Sequence, residues 1–151
     1  MNMKVLIGFL SVFLLGLVSG VSLSHLLQRG PKATLPGAQF LVIQQVLLRN
    51  YGPSLGGLEV AALLSTLSLA IVAWGEPVAP LLATLTSGCI VLMVVIWAAW
   101  IRPINKTVNS WTPESLPSNW ANFRDRWHFL HTIRLVLSAV AFGAAISGLF
   151  A

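Results

Sequence analysis

Charge is the scarcest commodity in this chain: only 9% of its 151 residues are charged, and four of those are acidic. A water-soluble helical domain of this length needs polar outer faces, and the residues to make them are missing, which excludes that class. The single cysteine, Cys89, sits in an apolar run, so there is no intrachain disulfide and no thiolate metal cluster. There are three histidines but no HExxH or CxxCH, and no phosphate loop, nucleophile elbow or dinucleotide fingerprint occurs. Lys and Arg outnumber Asp and Glu by nine to four, yet no basic run resembles a nucleic-acid patch. The net charge of +5 therefore speaks of membrane topology and anionic headgroups, not of nucleic acid.

What is present is apolar sequence: 56% of residues are hydrophobic, collected into long runs with the charges between them. Such runs must face lipid, so the lipid bilayer is the first partner. The expected fold class is an all-α integral membrane protein, a four-transmembrane-helix bundle in one membrane domain over 1–151. Its spans are expected at 3–27, 58–74, 78–101 and, preceded by an amphipathic entrance, within 120–150. The first run has only Lys4 as a charge and is longer than a signal-peptide core; it reads as a retained helix. Gly16 and Gly20 give it a small-residue face for helix packing. Residues 38–49 are too short to span and read as an interfacial or re-entrant helix between helices 1 and 2. Tyr51 to Gly57 reads as a turn-rich break. Gly75-Glu76-Pro77 makes helices 2 and 3 an antiparallel hairpin, and Arg102-Pro103 is expected to close helix 3, leaving 102–119 as an ordered extramembrane loop with room for a helical start around Asn105 to Val108.

Four spans place both termini on one side. The loops after spans one and three contain Arg29, Lys32, Arg49, Arg102, Lys106, Arg124 and Arg126, so positive-inside bias puts these long loops in the cytoplasm and both termini outside, in a bacterial cytoplasmic (inner) membrane. The sequon Asn105-Lys-Thr107 would then go unused.

The stretch Trp120 to Arg134 carries the chemistry. On a helix Trp120, Arg124, Trp127, His131 and Arg134 form one stripe, continued by Ser138, Ala141 and Ala145. Arg134 lies a turn inside the apolar span, where a permanent charge needs a partner or must snorkel. Chain direction puts His25, Glu59, Asn105 and His131 at one membrane level, as a shared polar cap. Glu59 suits an ion pair with Arg124 or Arg134. His131 can move a proton, bind a metal or ligate haem, and His25 or His131 could serve in the last two roles; no metal site is otherwise evident. Trp120 and Trp127 suit an aromatic belt or the walls of a pocket for a flat substrate, with Arg124 and Glu59 beside them. His128 lies about a quarter turn away from His131.

The run Arg102-Pro-Ile-Asn105, then Trp111, Trp120 and Arg124-Asp-Arg-Trp127-His-Phe-Leu-His131-Thr-Ile-Arg134 resembles the terminal half of the small four-helix membrane family named for anthrone oxygenase. The resemblance covers nearly the whole chain weakly and is most specific from Pro103 to Arg134, with 30–57 as a point of departure. It implies an oxygenase that oxidises an anthrone-like or other flat aromatic or quinol substrate with molecular oxygen and no dedicated cofactor. It places Asn105, Trp127, His131 and Arg134 at motif positions: His131 as general base, Arg134 and Asn105 as anion stabilisers, Trp127 holding the ring system. Two non-enzymatic readings stand beside it, a small subunit of a homo-oligomer or larger membrane complex, and a holder of haem or a metal ion. Transport finds less support, because no inverted repeat is visible.

Overall fold

In the computed structural model, which describes residues 2–151, the chain is helical almost throughout. The elements are α1 (Met3–Leu27), α2 (Arg29–Ala33), α3 (Gly37–Val46), α4 (Tyr51–Val72), α5 (Ala79–Ile96), a π-helical turn (Trp97–Ile101), α6 (Arg102–Asn109) and α7 (Trp120–Leu149). At 1.5 Å per residue, α1, α4 and α7 are each longer than the roughly 30 Å hydrocarbon core, and α5 reaches that length through the π turn. These four helices are the apolar ones, and they make this a multi-pass membrane protein. Their outer faces carry Phe9, Phe13, Leu64, Ile71, Leu81, Leu92 and Val136, all exposed, as lipid contact requires.

Helix α1 packs on α4 and α7, and α5 packs on the same two, so α1 faces α5 and α4 faces α7 across the diagonals of the bundle. Leu15, Ala62, Ile90 and Ala141 meet at the centre. Small hydroxyls pair between helices: Ser11 Oγ lies 2.8 Å from Ser65 Oγ, and Thr66 Oγ1 lies 2.9 Å from Ser87 Oγ. In lipid, where apolar surface gains nothing by leaving tails for side chains, such contacts and close packing hold helices together. On α7 the small residues Ser138, Ala141 and Ala145 are buried as their stripe requires. On α1 the inward face is instead Ser11, Leu15, Val18, Ser22 and His25. A Cβ on Gly16 would meet only the Phe142 ring, at ordinary contact distance, and one on Gly20 would meet nothing, so this glycine pair does not form the close packing face expected of it.

The short helix between the first two spans is α3, as its length implies. Two breaks anticipated from proline and glycine are absent. Tyr51–Gly57 is the first part of α4, because Pro53 occupies the opening turn, where a helix has no use for the missing N–H. Arg102-Pro103 likewise does not end the third span. The π turn lets the Arg102 N–H reach Trp97 O, five residues back, and widens the helix where the Pro103 ring would press on the preceding turn; α6 continues to Asn109. The expected loop 102–119 is thus helix over its first half. At the opposite end, Gly75 (φ 96°) makes the α4–α5 turn in a conformation that favours glycine, and Lys4 Nζ pairs with the Glu76 carboxylate, tying α1 to that turn.

Above the other end sits a cap. Gln45 Nε2 donates to Val108 O (3.0 Å) and Trp111 O (2.9 Å), joining α3 to α6. Trp120 packs on Phe40, and Trp111 meets Phe123 edge-on. Leu41, Ile101, Ile104, Val108 and Trp127 form a second apolar cluster under it.

Candidate functional site

Helix α7 enters the bundle beneath this cap, and its inward stripe determines what the site contains. Trp127, His131 and Arg134 are all buried, at spacings of four and three. The Trp127 and His131 ring centroids are 4.0 Å apart. His25, from the last turn of α1, completes the cluster with its ring 4.3 Å from His131 and 5.0 Å from Trp127, and Tyr51 of α4 lies 5.3 Å from His25. Asn105 of α6 accepts a 2.9 Å hydrogen bond from Trp127 Nε1 through its side-chain oxygen, which fixes the indole and leaves the amide donors free. One turn deeper, Arg134 Nη2 donates to Glu59 Oε1, a buried ion pair that spans the α4–α7 diagonal. Arg134 has found its partner within the bundle instead of snorkelling.

These groups face a cavity of about 1040 Å³ between α3, α4, the end of α5 and α7. Of the residues singled out in the sequence, His25, Glu59, Asn105, Trp127, His131 and Arg134 line it. Trp120 and Arg124 do not. Trp120 lies on Phe40 in the cap, with the Arg124 guanidinium 5.1 Å from its ring, and Arg124 donates to Ala33 O and pairs with Asp125. Both belong to the roof over the site. The stripe leaves the interior at its first turn because α7 starts above the level of the other helices.

The lining is basic: Arg49, Arg102, Lys106 and Arg134 against the single carboxylate of Glu59. Among the described residues no carboxylate pairs with Arg49, Arg102 or Lys106. Two further basic groups adjoin the Trp127 indole. Lys32 is buried with its Nζ 5.4 Å from the Trp127 ring centroid, and His128 is buried with its ring 5.1 Å from the same indole. The signal for Lys32 was present. Ser11, Leu15, Val18, Ser22, His25 and Lys32 follow one seven-residue repeat, so the lysine continues the inner face of α1 into α2. Gln44, Gln45, Tyr51 and Trp97 also line the cavity.

His25 and His131 bear on the haem or metal reading. Two imidazoles ligating one iron from opposite faces need ring centres roughly 6 Å apart, given metal–nitrogen bonds of about 2 Å. The observed 4.3 Å contact makes them neighbours, and opposed axial ligation does not fit this packing. Among the described residues no three His, Cys, Asp or Glu side chains gather as a metal-ligand set.

The cavity brings imidazoles beside an aromatic wall, with cationic and amide groups around them. The sequence profile of a family described as anthrone oxygenase matches residues 45–144, which takes in these groups except His25, Lys32 and Gln44. Searches of curated proteins and of solved structures return no match.

Proposed function

The chain belongs to the anthrone oxygenase family, and from that premise we propose that the capped cavity is the active site of a membrane-bound oxygenase for flat, anthrone-like carbon acids. The observation that carries this reading is the union of His131, Trp127, Asn105 and the Arg134–Glu59 pair in the lining of one cavity.

The substrate ring system lies along Trp127, whose own orientation is set by Asn105. His131 takes a proton from the methylene between two aryl rings. The resulting anion is delocalised onto the carbonyl oxygen opposite, and the Asn105 amide and the Arg134 guanidinium stabilise it. Glu59 holds Arg134 in place and keeps the resting site from carrying an uncompensated buried charge. The electron-rich carbon then gives one electron to dioxygen and combines with the superoxide formed. The peroxide anion recovers the proton from the His131 imidazolium, and the hydroperoxide loses water to leave a carbonyl. One methylene and one dioxygen become one carbonyl and one water, with no external reductant.

The same reading places α2, α3, α6 and the loop to α7 on the cytoplasmic side of a bacterial inner membrane, where positive-inside bias puts their Lys and Arg residues, and the Lys4–Glu76 end outside. Oxygen uptake dependent on added anthrone, measured on protein in lipid nanodiscs, tests the activity. His131→Ala is expected to lower it by about a hundredfold or more. Equal activity in that variant removes His131 from the proposed role.

A further inference from the structure

The cavity reaches the outer surface of the bundle between α4 and α5, at the membrane level of the cap. Val60 on α4 and Val94 on α5 both line it, yet both are exposed on the lipid-facing side, at 54% and 36%. Residues four apart on α4, Gly52 and Gly56, frame the opening below the cap, and Ala98 faces it from the π turn. A Cβ built on either glycine meets nothing within 4 Å. These glycines are therefore not there for close helix packing; they leave a gap. Leu55, beside Gly56, and Glu59, about a turn further along α4, are buried and also line the cavity, so the gap leads toward the Arg134–Glu59 level.

The rim of the opening differs from its sill. Arg49 at the end of the α3 segment and Arg102 and Lys106 on α6 line the cavity, are exposed, and have no carboxylate partner among the described residues. A neutral polycyclic would have no use for three cations at the headgroup edge of its binding site.

Resting on the oxygenase reading, we propose that the α4–α5 gap is a lateral window through which the substrate enters from the bilayer, and that this substrate is an acidic aromatic amphiphile. Its ring system passes between Gly56 and Ala98 toward Trp127, and its carboxylate or similar anion stays at the rim on Arg49, Arg102 and Lys106. Lipid phosphates share this anionic chemistry, but the three cations line the cavity itself as well as facing outward, which favours a ligand that occupies both.

The test compares two probes of the same ring size, anthraquinone-2-carboxylate and 2-(hydroxymethyl)anthraquinone, binding to the full chain in phosphatidylcholine nanodiscs. Tryptophan quenching is read at matched membrane-bound probe concentrations. The carboxylate is expected to bind roughly tenfold more tightly than the alcohol, the size of effect that a few partly exposed ion pairs produce. Replacing all three rim residues (Arg49→Gln, Arg102→Gln, Lys106→Gln) should abolish that preference while the alcohol's affinity is retained. Gly56→Leu should slow association of both probes, and Gly56→Ala should not.

Equal affinity for the two probes in the unaltered protein, or a preference that survives in the triple variant, overturns the acidic-substrate assignment. A preference that disappears when phosphatidylglycerol is added to the discs assigns the rim to headgroups and overturns it too. Unchanged association in a folded Gly56→Leu protein overturns the window. None of these readings requires turnover. A carboxylate preference with a working window in a protein that consumes no oxygen upholds this inference while the oxygenase reading fails, and oxygen uptake without the preference does the reverse.

Discussion

Breaking the Arg134–Glu59 pair from one side should destabilise the bundle far more than removing it altogether. The two side chains are 2% and 4% exposed, so neither charge has water to fall back on. Arg134→Leu leaves the Glu59 carboxylate buried without its cation, and Glu59→Leu strands the guanidinium. Each should cost about 3–5 kcal/mol, the usual penalty for one uncompensated charge left by a broken buried pair. At roughly 2–4 °C per kcal/mol for a chain of this length, thermal unfolding in nanodiscs should fall by about 6–20 °C. The double variant Glu59→Leu, Arg134→Leu removes both charges and replaces them with apolar volume at the α4–α7 diagonal. It should recover most of the loss, because a desolvated pair contributes little net stability against packed hydrocarbon. Activity separates the two roles of the pair. The double variant should regain stability yet stay inactive, since nothing then stabilises the substrate anion at that depth. A double variant no more stable than the weaker single one would refute the energetic argument, and one that is both stable and active would refute the placement of Arg134 in the chemistry.

Three further outcomes follow from individual contacts. Asn105→Leu removes the acceptor for the Trp127 indole N–H, which should cost about 1–3 kcal/mol and lower oxygen uptake through misplacement of the ring; Asn105→Asp keeps the acceptor and should retain the stability, as thermal melts of the two would show. Gly37→Ala puts a Cβ against Leu116 Cδ2 and 2.9 Å from Trp120 Cε2, so the cap must give way to admit it, and hydrogen exchange in α3 should rise with a cost of about 1–3 kcal/mol. The topology is tested by moving the only cysteine: in a Cys89→Ala background, Glu76→Cys should react with an impermeant maleimide from outside intact cells, and Ser115→Cys should react only after lysis. Labelling of Ser115→Cys in intact cells would reverse the orientation.

The spans and the short helix between the first two were legible because apolar length is a property of the sequence itself, and α1 in particular begins where its run begins. The two breaks misjudged from local composition both involve proline and have one cause. Proline disrupts a helix through a missing N–H and a clash with the preceding turn, and both penalties vanish in a first turn or beside a π turn. Pro53 and Pro103 use these two exits, and the exits are visible only once neighbouring helices fix the backbone.

The site divides in the same way. Counting residues from span ends puts His25, Asn105 and His131 near one level, where all three line the cavity; Glu59 lies a turn deeper, paired with Arg134. Depth in a bundle follows chain direction. Azimuth does not. Trp120 and Arg124 share the α7 stripe with Trp127 but stand above the bundle, so the same face that points into the cavity lower down points into the roof higher up. Lys32 shows the converse: counted as a loop charge for topology, it continues the buried repeat of α1 and comes to rest beside Trp127. A cation placed there keeps its position only because the aromatic face and the cap enclose it, so the roof and the positive-inside signal are made by some of the same residues.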